Sequence, residues 1–256
     1  MVNDSPSLNH ADVGIAMGSG TSVAKEAADI VLLNDAFPSI VLGIKWGRSL
    51  YKNIQSFLSY QLMINVAACL TVLFGPILGQ DMPFGVILLI TVNLAMDSLA
   101  ALALASEPAD PNVMYDKPRD KNAFIITKDM YKVILGMGSM IFIILAILIW
   151  NIGHPGFLPF ATDTSIVFAV FMAINWWQLF NVRVMGKNRS IFHKIGSSGN
   201  FLIGSLAIIL ATILVVQLGG NVSGTRPLSI MEWILIFAAT SPIVIVREIW
   251  FWLKKK

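Results

Sequence analysis

The sequence predicts a mainly α-helical fold, a six-helix transmembrane bundle with a short α/β segment at its N-terminus. First, 56% of the 256 residues are hydrophobic and only 13% are charged, whereas about a quarter of a typical soluble domain is charged. Second, six apolar stretches reach the roughly 20 residues that cross a bilayer. Third, residues 1–38 alternate between helical segments and short apolar runs, which is typical of an α/β domain.

The six predicted spans occupy most of the chain. They cover residues 60–79, 84–105, 130–151, 164–184, 200–219 and 229–252. The amphipathic stretch before the first span carries Lys45, Arg48 and Lys52, and we expect it to continue that span as one long helix. The run GPILGQDMP is rich in Gly and Pro and is expected to join the first two spans as a tight hairpin.

The basic residues predict the membrane topology. All but one of the 18 lie before the first span, between the second span and the start of the third, from the end of the fourth span onward to Lys194, or near the C-terminus, and the exception is Arg226. Because basic residues accumulate on the cytoplasmic side, both termini are predicted to be cytoplasmic. The formal charge of +3 is too small to indicate nucleic-acid binding.

The first 38 residues predict part of a larger domain. NDSPSLNHA and TSVAKEAA have helical patterns, whereas DVGIAMG and DIVLL are typical of buried strands. A segment of this size cannot bury a core of its own, because independent domains below about 40 residues usually need disulfides or metals. We therefore assign residues 1–38 to a remnant of a larger domain and residues 39–256 to the transmembrane domain.

Asp97 is the one acidic residue well inside a predicted span. An ionised side chain at the centre of a membrane helix costs about 2.5–3.5 kcal/mol on insertion scales, so such a residue indicates a functional site. Asn93 lies four residues earlier, and residues at this spacing share a helix face. We expect both side chains to point into the bundle.

Amides on other spans extend this candidate site. Asn65 lies on the first span, and Asn175 and Gln178 lie on the fourth. Carboxylate and amide oxygens suit Ca²⁺, although hydrogen bonding between helices is an alternative role for these three amides. One carboxylate cannot neutralise a divalent cation, and desolvating an unbalanced charge is costly. A group outside this sequence is therefore expected to complete the site.

Several motifs resemble P-type ATPases. VNDSPSLNHADVGIAMG resembles the end of their hinge motif, Gly-Asp-Gly-Val-Asn-Asp, and GTSVAKEAADIVLLND continues the similarity. TVNLAMDSLAALALASEP and WWQLFN resemble transport-site spans of calcium pumps, above all the plasma-membrane type. The resemblance implies that the six spans are the last six of ten, and that residues 1–38 end a HAD-like phosphorylation domain.

The resemblance also implies roles for individual residues. Asn3 and Asp4 match the end of the hinge motif, where Asp4 would help to hold the catalytic Mg²⁺. Asn65, Asn93 and Asp97 match Ca²⁺ ligands. Gln178 matches a possible further ligand, and Ala68 stands where two-ion pumps have a Glu. One Ca²⁺ per ATP is therefore expected.

The expected function is the transport portion of an ATP-driven Ca²⁺ exporter, a multi-pass protein of the plasma-membrane bilayer. The sequence contains no Asp-Lys-Thr-Gly-Thr phosphorylation loop, so this chain is expected to be inactive without the N-terminal part of the pump, for which ATP is the substrate. Two alternatives are a small six-span channel or carrier and a non-catalytic membrane subunit. Mn²⁺ remains an alternative to Ca²⁺, since both accept oxygen ligands.

Overall fold

The computed structural model describes residues 4–80, 82–120, 123–158, 162–187, 189–193 and 195–254. It is mainly helical, with little strand. Six helices in these ranges are long and apolar enough to cross a membrane, judged by length and composition. The predicted fold class is therefore confirmed.

One compact unit comprises residues 1–51 and 109–118. It begins with α1 (Ser5–His10), β1 (Ile15–Met17), α2 (Ser22–Glu26) and β2 (Ile30–Leu32). The two strands pair in parallel, with Ile15 opposite Ile30. Thr21 begins α2 because its hydroxyl oxygen accepts a hydrogen bond from the Ala24 N–H at 3.3 Å, which satisfies a free donor of the first turn.

The same unit includes a short 3₁₀ helix, Pro111–Tyr115, which two hydrogen-bonded contacts attach to the long helix that follows β2. Arg48 Nη1 donates to the carbonyl oxygens of Val113 at 3.0 Å and Asp116 at 2.8 Å. The Asp110 N–H donates to Ser49 Oγ at 3.1 Å. This loop is therefore attached by hydrogen bonds to its backbone groups, and its Val113 side chain is buried.

The long helix α3 runs from Phe37 to Phe74, and the expectation of one continuous helix is confirmed. The predicted end of the first span at residue 79 is wrong. The helix stops at Phe74 and a 3₁₀ turn, Pro76–Leu78, follows it, because Pro76 has no N–H and its ring would clash with a carbonyl of the preceding turn. Gly79, at φ 87°, then reverses the chain in the left-handed region that glycine tolerates.

The second unit comprises residues 52–108 and 119–256. The second membrane helix, which follows α3, consists of three consecutive parts. The sixth span consists of the last two helices, which are separated at Ser241. The elements are α4 (Val86–Thr91), a π-helical turn (Val92–Met96), α5 (Asp97–Ala105), α6 (Lys128–Gly153), α7 (Thr164–Arg183), a 3₁₀ turn (Ile195–Ser197), α8 (Gly199–Leu218), α9 (Gly220–Ser223), α10 (Ile230–Thr240) and α11 (Pro242–Lys254).

Helix α7 is the centre of this unit. Of its most apolar stretch, 89% of the residues are buried, compared with 18–35% in the other five candidate spans. Elsewhere helices approach through small residues: a Cβ placed on Gly204 of α8 would lie 2.8 Å from Ala103 Cβ of α5. Such contacts are typical of membrane helices, whose association depends on close packing. The centre of the bundle is therefore the place for buried polar groups.

Candidate cation site

Asp97 is the first residue of α5 and follows the π-helical turn. Its side chain is 8% exposed. Oδ2 accepts a hydrogen bond from Gln61 Nε2 of α3 at 3.2 Å, whereas Oδ1 is buried and finds no hydrogen-bond partner within the described ranges. A buried carboxylate oxygen that lacks a donor is costly, and it can accept a cation.

The contact between Gln61 and Asp97 aligns α3 with the second membrane helix. Gln61 and Asp97 are 36 residues apart in sequence, so the hydrogen bond brings the two helices together at this point. Asn65 lies one turn further along α3 and is half-buried.

Asn93 does not point into the bundle as predicted. Its side chain is exposed, and Nδ2 donates to the Leu89 carbonyl oxygen one turn earlier at 3.0 Å. Asn93 lies within the π-helical turn of Val92–Met96, so the α-helical spacing on which the prediction rested does not apply to it. Of the two, Asp97 alone faces the interior.

The polar side chains of α7 form a separate buried row. Asn175, Gln178 and Asn181 lie three residues apart and are 0%, 3% and 9% exposed. Asn181 Nδ2 donates to Gln178 Oε1 at 2.8 Å. Both amide atoms of Asn175 and Gln178 Nε2 have no hydrogen-bond partner among the described residues. Among the residues that the structure describes, no hydrogen bond joins this row to Asp97, and Gln178 is instead hydrogen-bonded to Asn181.

The two residues of the hinge-motif end are placed differently. Asn3 lies outside the described residues. Asp4 is exposed and directly precedes α1. In the part of the chain that the structure describes, no three His, Cys, Asp or Glu side chains cluster as a metal site. Among the described residues, Asp4 is therefore the one carboxylate of the hinge motif that could bind Mg²⁺.

Sequence reasoning did not assign two contacts that the structure shows. Gln61, a polar residue one turn before Asn65 in the first span, donates a hydrogen bond directly to Asp97. Glu107 pairs with Arg183 in the interior, with both side chains under 10% exposed. No local pattern marks this pair, because 76 residues separate its members.

The comparison with known families is decisive for residues 81–253, which match the family described as "Cation transporting ATPase, C-terminus". The chain belongs to the cation-transporting ATPases. The matched part covers Asp97 and five of the six candidate membrane helices.

Individual relatives agree with the family. The chain is 36% identical over 243 residues to plasma membrane calcium-transporting ATPase 1 of Homo sapiens and 37% identical over 243 residues to ATPase 3 of Homo sapiens. It is 35% identical over 244 residues to plasma membrane calcium-transporting ATPase mca-1 of Caenorhabditis elegans. Each alignment covers 91% of this chain, but the chain spans only about a fifth (20%) of these relatives' length.

Proposed function

We propose that this chain is the C-terminal transport portion of an ATP-driven Ca²⁺ exporter of the plasma membrane. The observation that carries the proposal is Asp97, a buried carboxylate with one oxygen that has no donor among the described residues. Asn65 and Asn93 would supply amide oxygens beside it, and Gln178 is a further candidate. The names of the relatives, which are calcium-transporting ATPases of the plasma membrane, support Ca²⁺ as the cargo.

The charge balance requires a second acid. Ca²⁺ takes about 6–8 oxygen ligands, and Asp97 carries one negative charge. Asn93 is exposed in this chain, so its face is available to a helix from the N-terminal part of the pump. We propose that a carboxylate of that part completes the site and that Asn93 exchanges its bond to Leu89 for the cation.

The N-terminal segment supports the same proposal. The parallel strands β1 and β2, with α2 between them, form a unit typical of α/β domains. We propose that residues 1–38 end the phosphorylation domain, with Asn3 and Asp4 near the phosphate. Mg²⁺ prefers octahedral oxygen ligands, so Asp4 would contribute one of several. ATP and Mg²⁺ chemistry would reside in the complete pump.

The proposed orientation places both termini in the cytoplasm. The distribution of basic residues carries this proposal, since all but Arg226 of the 18 fall on one side. In that orientation Arg226 faces the cell exterior, together with Asp163, with which it forms an ion pair.

The decisive experiment is Asp97→Asn in the full-length pump. This change keeps the shape of the side chain and removes the charge, so cation-dependent phosphorylation from ATP should be lost. Phosphorylation from inorganic phosphate, which needs no bound cation, should persist and would show that the protein is folded. The matched control is Asp129→Asn, whose side chain is 94% exposed and which should leave both reactions unchanged. Unaltered Ca²⁺ affinity in Asp97→Asn would contradict the proposal.

A further inference from the structure

Arg183, the last residue of α7, is a buried cation with several hydrogen-bond partners. Its side chain is only 3% exposed. Nε donates to Glu107 Oε1 at 2.6 Å, and Nη2 donates to Ser198 Oγ at 2.9 Å. Nη1 donates to the carbonyl oxygens of Ile191 at 3.3 Å and His193 at 3.2 Å. All three guanidinium nitrogens are hydrogen-bonded, so the side chain is held in one orientation.

The surroundings of Arg183 require a planar guanidinium and not only a positive charge. Its guanidinium carbon lies 5.0 Å from the centre of the Phe201 ring of α8, which is a favourable distance for a cation over an aromatic face. A lysine carries the same charge, but its compact ammonium group cannot reproduce the rigid arrangement of donors or the stacking. A buried ion pair often adds little net stability, which leaves precise positioning as the main consequence of this geometry.

Glu107, the anionic partner, fixes the end of the helix that carries Asp97. It lies two residues after the end of α5, which begins at Asp97. The Glu107 carbonyl oxygen accepts from Asn53 Nδ2 of α3 at 3.2 Å, and its N–H donates to the Leu104 carbonyl oxygen at 3.4 Å. One residue therefore attaches the end of α5 to α3 through its main chain and to α7 through its carboxylate.

Helix α3 and the second membrane helix meet at two points. Asn53 bonds to Glu107, and Gln61 bonds to Asp97. The nine residues of α5 between these points form a rigid rod of about 14 Å. Because an α-helix moves as a unit, a displacement at Glu107 shifts Asp97 relative to Gln61.

The acceptors of Arg183 are themselves held in place. The segment between α7 and α8 contains Ile191, which is 0% exposed and packs with Val184 and Val244. The Ile191 N–H donates to Glu248 Oε2 of α11 at 3.1 Å. Since the carbonyl oxygen of the same residue accepts from Arg183, the guanidinium is anchored to α11 as well as to its own helix.

We propose that Arg183 is a positioning residue of the cation site. It acts through Glu107: the guanidinium fixes the end of α5, and α5 holds Asp97 against Gln61 with Oδ1 available to the cation. Losing this anchor lowers the affinity for the cation and leaves phosphoryl transfer at saturating cation unchanged. The role of Asp97 in binding Ca²⁺ rests on the proposed function, whereas the chain of contacts from Arg183 to Asp97 does not.

The test measures the Ca²⁺ concentration that gives half-maximal phosphorylation of the full-length pump from ATP. Arg183→Met alone is not sufficient, because unfolding would also reduce phosphorylation. The informative variant is Glu107→Leu, Arg183→Met, which leaves no unpaired buried charge. It should raise the half-maximal Ca²⁺ concentration by about two- to thirtyfold, the range expected for residues that act on a site from a distance. Phosphorylation at saturating Ca²⁺, and from inorganic phosphate without Ca²⁺, should be unchanged.

Two further variants separate positioning from stability. Asn151→Leu in α6 removes a buried amide that is hydrogen-bonded to Thr162 and Leu158, so it should lower stability and leave the half-maximal Ca²⁺ concentration unchanged. Gln61→Leu removes the contact through which Arg183 acts. In that background the effect of the Glu107→Leu, Arg183→Met variant should shrink by at least about twofold, whereas independent sites have additive free-energy effects.

Three results would overturn the proposal. They are wild-type Ca²⁺ dependence in the Glu107→Leu, Arg183→Met variant, an equal rise of the half-maximal concentration in Asn151→Leu, and an undiminished effect in the Gln61→Leu background. A wild-type pump whose phosphorylation does not respond to Ca²⁺ would be a different failure. It would overturn the proposed function, and the positioning role in Ca²⁺ binding would fall with it.

Discussion

Glu107 and Arg183 form a buried ion pair, with Oε1 of Glu107 2.6 Å from Nε of Arg183. The other two guanidinium nitrogens of Arg183 are also hydrogen-bonded. Nη1 donates to the carbonyl oxygens of Ile191 and His193, and Nη2 donates to Ser198 Oγ at 2.9 Å. The pair joins the segment after α5 to the end of α7. The helix that carries Asp97 and the helix that carries Gln178 are therefore fixed to each other at one end.

Removing one partner of this pair should destabilise the chain strongly. Arg183→Met leaves the Glu107 carboxylate buried and uncompensated, and the expected loss is about 3–5 kcal/mol of unfolding free energy. Arg226→Met is the control, because its ion pairs are 29–47% exposed and should contribute no more than about 1 kcal/mol. The measurement is unfolding by SDS titration in mixed micelles. Equal losses would show that burial of the pair has no energetic consequence.

Replacing both partners should restore much of the lost stability. In Glu107→Leu, Arg183→Met no buried charge remains, and buried ion pairs can often be exchanged for apolar residues at little cost. The double variant should therefore be more stable than Arg183→Met alone in the same titration. If it is the less stable of the two, the hydrogen bonds from Arg183 to Ile191, His193 and Ser198 dominate over the charge pair.

Helices α5 and α8 approach closely at Gly204, so adding one methyl group at this position should destabilise the chain. Gly204→Ala would place Cβ 2.8 Å from Ala103 Cβ and 3.2 Å from the Leu99 carbonyl oxygen. Overpacking of this kind costs about 1–3 kcal/mol. Gly136→Ala in α6 is the matched control, because nothing lies within 4 Å of its added Cβ. Thermal unfolding in detergent should separate the two variants, and an unchanged melting temperature for Gly204→Ala would contradict the close approach.

Asn175 should be a site where stability and transport conflict. Both of its amide atoms are buried without a hydrogen-bond partner in the described part of the chain, and each unsatisfied group costs about 1–3 kcal/mol. Asn175→Leu should therefore raise the unfolding free energy of the chain. In the full-length pump the same change should lower Ca²⁺ affinity if the amide is needed for transport.

The matched control for Asn175 is Asn151, which is also buried but is satisfied. Its Nδ2 donates to Thr162 Oγ1 at 3.0 Å, and its Oδ1 accepts from the Leu158 N–H at 2.8 Å. Asn151→Leu should lower the unfolding free energy, because it leaves the Leu158 donor unpaired. If Asn175→Leu and Asn151→Leu change the unfolding free energy in the same direction, the distinction between an unsatisfied and a satisfied buried amide is refuted.

The stoichiometry of transport should depend on position 68. Ala68 offers no oxygen on the helix that carries Asn65, and a second Ca²⁺ would bring two further charges into the bundle without a carboxylate to balance them. The full-length pump should bind one Ca²⁺ per phosphoenzyme, as measured with radioactive calcium. Ala68→Glu should raise this ratio above one, whereas Ala68→Gln, which adds a similar volume without charge, should not. A wild-type ratio near two contradicts the one-site proposal.

The sequence by itself determined the six membrane helices and singled out Asp97. In lipid every backbone polar group must be bonded within its own segment, so hydropathy and length are enough to locate α6, α7 and α8. They also show that a carboxylate inside a span is exceptional. The end of the first membrane helix was predicted at residue 79, whereas the helix ends at Phe74. The exact end depends on the ring of Pro76 and the turn at Gly79.

Only the tertiary structure decided which side chains meet. Gln61 reaches Asp97 across 36 residues and Arg183 reaches Glu107 across 76, and both contacts depend on the rotation of each helix about its axis. Helical spacing assigned Asn93 to the interior, but Asn93 lies within a π-helical turn, to which α-helical spacing does not apply, and its side chain is exposed. The physical reason is that apolar lipid and an apolar core give similar sequence signals, so the pattern that locates a membrane helix does not fix the neighbour it faces.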